Sequence, residues 1–261
     1  MASNASDNTG STQNGSSSPA EQVNGAMAEN MAGAMPGDMA AQGASAGSWG
    51  MMAALAGVAA LAGILIALAY ELTLPIIKAN KARALRQSVF EVLPNATQVA
   101  TFKLLPDGSV APVTGEDEKS VKFYAGYDAQ GKFRGVAIEA QGQGFQDVIK
   151  VLYGYDPQTQ QVVGMRVLES KETPGLGDKI GNDPQFLANF ADLDVRLADD
   201  ARALLHPLQV VKKGAREEKW QIDAITGATI SSKAIGKMMN ESTRTRLPQV
   251  IHNLKRLGEK P

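Results

Sequence analysis

The segment Asp223-Ala-Ile-Thr-Gly-Ala-Thr-Ile-Ser-Ser-Lys233 joins a predicted strand to the expected start of a helix. Gly227 and Ala228 leave the main chain uncovered, so an anion can approach the amide N–H groups that a helix start leaves unpaired. The same segment contains the hydroxyl side chains of Thr226, Thr229, Ser231 and Ser232. Lys233 adds a positive charge, and the helix dipole favours an anion by about 0.3–1 kcal/mol. The segment therefore has the chemistry needed to hold a phosphate.

A simpler interpretation is that Thr229 or Ser231 only caps a helix that continues through Met239. On these residues alone, capping and anion binding are equally well supported. The segment is not a P-loop, because a P-loop requires Gly-Lys-Ser/Thr after a fixed spacer and normally follows a buried strand. A second signal is needed to choose between the two interpretations.

The order Asp-x-x-Thr-Gly-Ala-Thr resembles the flavinylation motif of the FMN-binding domain family. The resemblance implies that Thr229 carries covalent FMN through a phosphoester bond. It also implies further cofactor-binding residues in the same segment, namely Thr226, Gly227, Ala228, Ser231, Ser232 and Lys233. Asp223 is interpreted as a residue that assists the attachment reaction or orients the turn.

A second segment, Glu169-Ser-Lys-Glu-Thr-Pro-Gly-Leu-Gly-Asp-Lys179, resembles the Glu-Thr-Pro-Gly-Leu-Gly loop of the same family. Without the resemblance it would be interpreted as a surface turn; with it, the loop is expected to lie against the flavin. A turn with few side chains lets a flat ring approach the backbone, and Leu176 can cover one face. The implied cofactor-binding residues are Glu172, Thr173, Gly175, Leu176 and Gly177. The family's usual His is absent at Ser170, so no role of that imidazole is carried over.

An apolar segment precedes both motifs. Residues 51–70 contain no charge, and Trp49 and Tyr70 stand at the two ends, where aromatic side chains favour a membrane interface. As a helix the segment is long enough to cross about 30 Å of hydrocarbon. A cleaved signal peptide is disfavoured, because it would start near residue 1 with a basic region. The sequence predicts a single transmembrane helix at 49–70.

The other boundaries follow from composition and periodicity. Residues 1–48 are rich in Ser, Asn, Gly and Ala and carry few charges, which predicts a disordered tail. Residues 71–94 show one apolar stripe and predict an amphipathic juxtamembrane helix that ends at Pro94. We assign 95–250 to the FMN-binding domain and 251–261 to a C-terminal tail.

Short strand-like segments separated by turn sequences fill this domain. They lie at 123–127, 133–140, 148–155 and 161–168, near 208–211 and near 220–223. A helix is predicted at 184–191. These elements predict an α+β fold with an antiparallel sheet and flanking helices.

With Pro-Ile-Ile-Lys-Ala-Asn-Lys at 75–81, the chain resembles the G subunits of Rnf-type ion-translocating electron transport complexes over about residues 50–250. The resemblance implies a membrane-anchored electron carrier without turnover of its own, whose partners are the other membrane subunits. A separate flavin transferase is implied, because a threonine hydroxyl is weakly nucleophilic and no base triad is visible. The flavin domain is expected on the periplasmic side of the bacterial inner membrane.

The distribution of basic residues opposes that orientation. The tail has no Lys or Arg, whereas Lys78, Lys81, Arg83 and Arg86 closely follow the span, so the positive-inside rule places the domain in the cytoplasm. We follow the resemblance, since dedicated insertion and a membrane partner can override this bias.

Composition excludes several classes of protein. The net charge of −1 is too balanced for a nucleic-acid footprint. The absence of cysteine excludes disulfides, iron–sulfur ligation and thiol catalysis by this chain. Only His206 and His252 are present, on unrelated segments, so no metal site and no catalytic residue is predicted.

Three other functions fit the sequence to different degrees. The C subunit of the sodium-translocating NADH:quinone reductase has a similar flavin domain, but its ectodomain is usually longer than residues 71–261. A noncatalytic membrane-anchored adapter would bind a phosphate-bearing ligand reversibly and release it in denaturant. A soluble dehydrogenase fits least well, since neither a nucleotide-binding Gly-rich turn nor an acid/base histidine is evident.

Overall fold

The computed structural model describes residues 45–113, 120–198 and 203–259, so the predicted tail lies outside the described residues except at its end. The chain divides into two compact units, residues 1–66 and 67–261. The described part of the first unit is helical throughout. The second unit contains the sheet domain.

A single helix, α1, runs from Ser45–Val92 and includes Pro75. Its segment Trp49–Val92 reaches a mean hydropathy of 2.4 in its most apolar window, and 0% of that window is buried inside the protein. By length and composition this segment can cross a membrane. The predicted boundary between the span (49–70) and the juxtamembrane helix (71–94) falls inside α1, which continues through it without a break. Helix α1 ends shortly before Pro94, because a proline disfavours the helical conformation of the residue that precedes it.

The domain is built on a seven-stranded sheet in the order β2-β1-β3-β4-β5-β6-β7, in which every neighbouring pair is antiparallel. The strands are β1 (Gln98–Leu104), β2 (Val110–Pro112), β3 (Lys122–Tyr127), β4 (Phe133–Gln143), β5 (Val148–Asp156), β6 (Gln161–Glu169) and β7 (Leu193–Asp194). The predicted α+β class and its antiparallel sheet are confirmed. The sequence analysis missed β1, β2 and β7.

Helices cover both faces of the sheet. On one face, Tyr153 and Tyr155 of β5 belong to the core that includes Met238 and Leu247 of α3 (Thr229–His252). On the other face, the last turns of α1 pack on Tyr124, Ala137 and Leu152 through Val89, Val92 and Leu93. The two sets alternate along β5, as expected of a strand buried on both sides.

Glycines on the second face allow α1 to approach the sheet closely. A Cβ on Gly154 would overlap the carbonyl oxygen of Val92 and lie 2.8 Å from its carbonyl carbon. A Cβ on Gly164 would lie 2.9 Å from the Cα of Val92. Backbone therefore packs on backbone here, which no larger residue would permit.

A second, two-stranded sheet leads to the phosphate-binding segment. Strands β8 (Gln209–Val211) and β9 (Gln221–Asp223) pair in parallel and confirm the strands predicted near 208–211 and 220–223. The helix predicted at 184–191 is shorter, because α2 spans only Pro184–Ala188. It stops where the Asn189 side chain turns to bind the backbone of Phe186 and Asp223.

The predicted C-terminal tail is partly helical and packed. The last helix, α4 (Leu254–Gly258), buries Leu257 completely, and the carbonyl of Leu257 accepts a hydrogen bond of 2.6 Å from the Tyr127 hydroxyl. Asn253 donates from Nδ2 to the carbonyl of Gly108 at 2.9 Å. Residues 253–257 therefore close one end of the core rather than extend from it.

Asp128 makes the turn between β3 and β4 sensitive to pH. The Lys132 N–H, together with Arg134, holds the pKa of the Asp128 carboxyl below its ordinary 3.8. A carboxyl whose pKa is lower in the folded state than in the unfolded state stabilises the protein at pH values above the unfolded-state pKa. This contribution is lost as the pH falls through the folded-state pKa. We expect Asp128→Asn to lower stability at pH 7 in urea unfolding of the full chain in detergent, with a smaller deficit at about pH 3. A deficit of equal size at both pH values would contradict this.

Candidate functional site

The segment 223–233 forms a strand, a tight turn and a helix start, as its sequence predicted. The end of β9 is fixed by Asn189, whose Oδ1 accepts from the Asp223 N–H at 3.0 Å and whose Nδ2 donates to the Asp223 carbonyl at 3.3 Å. The turn closes through a 3.0 Å bond from the Ala228 N–H to the Ile225 carbonyl. Gly227 has φ +86°, a left-handed conformation that favours glycine.

Thr229 is the first residue of α3 and is exposed. Ala228 is the N-cap, and no side chain among the residues that the structure describes caps the helix, so the capping interpretation of Thr229 and Ser231 is wrong. The first N–H groups of α3 are therefore available to a ligand. Thr226 is also exposed, as is Lys233, one turn along the helix from Thr229.

Ser232, also predicted to bind the cofactor, is fully buried. Its Oγ accepts from the Ile225 N–H at 3.1 Å and donates to the Ala228 carbonyl at 2.9 Å. The hydroxyl therefore braces the turn from inside. These contacts support a role in shaping the site, while direct contact with a phosphate stays a prediction.

Glu172 and Ser231, predicted as separate cofactor contacts, meet each other in the interior. The Ser231 hydroxyl donates to Glu172 Oε2, and Glu172 Oε1 accepts from the backbone N–H groups of Phe145 at 2.9 Å and Gln146 at 3.1 Å. Both residues are buried, with exposed fractions of 5% for Glu172 and 2% for Ser231. The sequence analysis did not anticipate this cluster, because it depends on a third segment.

The Glu-Thr-Pro-Gly-Leu-Gly loop lies beside the Thr-Gly-Ala-Thr turn. Leu176 is half exposed, and its Cδ2 lies 3.9 Å from the point that a Cβ on Gly227 would occupy. The loop is tight, since the Thr173 carbonyl accepts from the Leu176 N–H at 3.1 Å and Gly175 adopts φ +75°. Two motifs that are separated in sequence therefore form one surface.

Asp223 is directed to a neighbouring loop. Its Oδ1 accepts from the N–H groups of Ala215 at 3.1 Å and Arg216 at 3.0 Å. These bonds support the interpretation that Asp223 orients the turn. Its proposed part in the attachment reaction stays a prediction.

Exposed apolar side chains adjoin the surface formed by the two motifs. Leu176 is 50% exposed, Ile230 59% and Phe145 60%. Ile230 follows Thr229 directly, and Phe145 is joined to the Ser231 region through Glu172. The sequence analysis missed Phe145 and Ile230. Phe145 could have been found as an isolated aromatic residue within Gln-Gly-Gln-Gly-Phe-Gln-Asp.

The FMN-binding domain family model matches residues 144–243, which include both motifs and Phe145. The G subunit of an ion-translocating oxidoreductase complex from Methanosarcina acetivorans is 33% identical over 183 residues, which cover 68% of this chain and 83% of that protein. This chain belongs to that family of G subunits. Another similar member is the G subunit of the Na(+)-translocating ferredoxin:NAD(+) oxidoreductase complex of Acetobacterium woodii, 31% identical over 63% of this chain and 72% of its own length.

The crystal structure of Shewanella oneidensis NqrC shares the fold of this G-subunit family member. The TM-score is 0.50 at 18% sequence identity, over 66% of this chain and 87% of that one. At this identity the likeness supports the fold alone. The apolar helix α1 and membership of the G-subunit family together support membrane association.

Proposed function

We propose that this chain carries FMN on the Thr229 hydroxyl and passes electrons as one subunit of an ion-translocating oxidoreductase complex. The observation that carries the proposal is the exposed Thr229 at an uncapped helix start, beside the half-exposed Leu176. The covalent bond would be a phosphoester between the threonine oxygen and the 5′-phosphate: the hydroxyl would lose its proton, and the phosphorus of an activated FMN donor would lose its leaving group. FMN supplies the redox chemistry when bound, and the protein orients it and tunes its electronics.

The residues around Thr229 fit a phosphate group. The α3 N-terminus offers amide N–H groups that no side chain in the described part of the chain caps, and its dipole favours an anion by about 0.3–1 kcal/mol. Gly227 keeps the adjacent backbone open, since the nearest heavy atom to a Cβ there is the Leu176 Cδ2. The exposed Lys233 and Thr226 supply a positive charge and a hydroxyl donor within the same segment.

The surface next to Thr229 also fits a flat apolar ring. Leu176, Ile230 and Phe145 are each at least half exposed in a domain whose other large apolar side chains are mostly buried. Covering an apolar side chain of this size contributes about 1.5–3 kcal/mol when burial is complete. A bound isoalloxazine ring would remove this apolar surface from water.

Attachment is assigned to a separate flavin transferase. Among the described residues, no side chain hydrogen-bonds the Thr229 hydroxyl, and neither of the two histidines of the chain lies within the two motifs. Activation of a threonine oxygen normally requires an adjacent base. The transferase would have to supply that base.

The partners are the other membrane subunits of the complex, because similar proteins are named as its G subunits. The apolar part of α1 is unburied within this chain and would anchor it in the bacterial inner membrane as a single span. We place the flavin domain on the periplasmic side, as the family resemblance implies and against the bias of the basic residues after the span.

The proposal is tested by expressing the full chain with a flavin transferase and denaturing it. We expect flavin fluorescence to remain with the polypeptide, an intact mass raised by one FMN residue, and a modified peptide that contains Thr229. Release of the flavin, or of another phosphate-bearing ligand, in denaturant would instead support a reversible adapter. An unmodified chain without ligand would contradict both functions.

A further inference from the structure

Glu172 is a buried carboxylate whose hydrogen-bond donors all come from other segments. Its Oε1 accepts from the N–H groups of Phe145 and Gln146, and its Oε2 accepts from the Ser231 hydroxyl in the first turn of α3. None of these donors carries a charge. Hydrogen bonds to an ionised acceptor are roughly twice as strong as neutral ones, and the nearby helix N-terminus adds a favourable field.

The surrounding backbone leaves room for this carboxylate and for little else. A Cβ on Gly177 would lie 2.7 Å from Glu172 Oε2 and 2.9 Å from Ser231 Oγ. A Cβ on Gly144 would overlap Glu172 Oε1 and lie 2.6 Å from the Cδ1 of Ile149. Because both positions are glycine, the loop of Glu172, the loop of Gly144 and the first turn of α3 can pack closely around the Glu172 side chain. This packing fixes the location of the carboxylate.

Each of the three segments presents an exposed group of the candidate site. The loop of Glu172 itself carries Leu176, the loop of Gly144 carries Phe145, and the first turn of α3 carries Thr229 and Ile230. The side chain of Glu172 is the contact that all three share.

We propose that Glu172 is a positioning residue, which holds the attachment threonine and the apolar surface in register for a flavin and lowers the reduction potential of that flavin through its buried charge. The inference rests on the proposed function. Glu172 does not contact the cofactor in this account; it acts through Ser231, Phe145 and its own loop. A negative charge in a region from which water is excluded opposes the addition of an electron nearby, so it lowers the reduction potential of the flavin.

Glu172→Gln separates charge from geometry. The introduced amide can accept from both backbone N–H groups through its oxygen and donate to Ser231 Oγ through its nitrogen, so the three segments stay joined. Glu172→Ala removes both the charge and the contacts. Glu169→Gln is the matched control, because Glu169 is a nearby carboxylate with a side chain 47% exposed, paired with Lys150.

The full-length variants are expressed with a flavin transferase and purified in detergent. Covalent flavin per chain, time-resolved flavin anisotropy and a redox titration are then measured. At the potential that reduces half of the wild-type flavin, we expect more than half to be reduced in Glu172→Gln, with wild-type anisotropy. Glu172→Ala should show the same shift with faster depolarisation and less attached flavin. Glu169→Gln should match the wild type.

An unchanged flavin reduction potential in flavin-loaded Glu172→Gln would overturn the proposal that the charge of Glu172 lowers this potential. Wild-type anisotropy and yield in Glu172→Ala would overturn the positioning role. If Glu172→Ala fails to fold, loss of attachment or faster depolarisation in the folded Glu172→Gln would overturn the geometric argument. A wild-type chain without covalent flavin would instead refute the proposed function, so the two failures are distinct.

Discussion

Replacing Thr229 with Val is expected to abolish covalent flavin while the fold survives. Valine matches threonine in volume and lacks only the oxygen that would form the phosphoester. Thr229 is exposed at the first position of α3 and does not cap the helix, so its hydroxyl contributes little to stability. The cost in helix propensity is well under about 1 kcal/mol. Fluorescence of the denatured chain and intact mass measure attachment, and circular dichroism measures the fold.

Two control variants make this result specific. Thr229→Ser keeps a hydroxyl at the same position and is expected to retain attachment. Thr245→Val removes an exposed hydroxyl of the same helix outside both motifs and is expected to leave attachment in place. Flavin that survives denaturation in Thr229→Val would refute the assignment of the attachment residue.

Gly154→Ala is expected to be among the most destabilising single-methyl additions in the domain. The added Cβ would overlap the carbonyl oxygen of Val92 and approach its carbon to 2.8 Å, and both are backbone atoms at the end of α1 that cannot rotate away. Overpacking in a core typically costs about 1–3 kcal/mol, and backbone obstacles place this site at the upper end. Urea unfolding of the full chain in detergent, followed by circular dichroism, gives the change.

Gly181→Ala is the matched control for this substitution. A Cβ on Gly181 would meet the side chain of Val167 at 3.5 Å, which is ordinary van der Waals contact. Its expected effect is within about 0.5 kcal/mol, as for most substitutions that create neither overlap nor cavity. An equal loss of unfolding free energy in both variants would show that the close approach of α1 to the sheet does not cause the destabilisation of Gly154→Ala.

Local sequence patterns predicted the centre of the sheet well. Strands β3 to β6 are apolar segments bounded by turn sequences such as Asp128-Ala-Gln-Gly, and such punctuation reflects the backbone conformations that those residues favour. Strand β1 was missed because only Phe102 among its residues is buried, which leaves a weak pattern in a strand that lies next to the short edge strand β2. The parallel pairing of β8 with β9 depends on tertiary contacts and has no local signal.

The site shows the same division between local and tertiary information. The exposed Thr229 and the bare turn around Gly227 follow from the order of residues, and the resemblance indicated that Leu176 would lie nearby. The union of Glu172 with Ser231 spans 59 residues and needs the loop of Phe145, so no periodicity reveals it. Glu172, Ser231 and Ser232 make internal hydrogen bonds for that reason, and their contact with a cofactor stays a prediction.

The bond between Tyr127 and Leu257 links residues 130 positions apart and gives the domain a late step of assembly. Strand β3 leaves the ribosome long before its buried tyrosine can meet this carbonyl, so the core stays open at one end until residue 257 has emerged. Contacts between residues so far apart in sequence form slowly, because the intervening chain loses conformational entropy before the contact begins to stabilise the fold. Any modifying enzyme that requires the completed domain must therefore act on the chain after synthesis has passed this point.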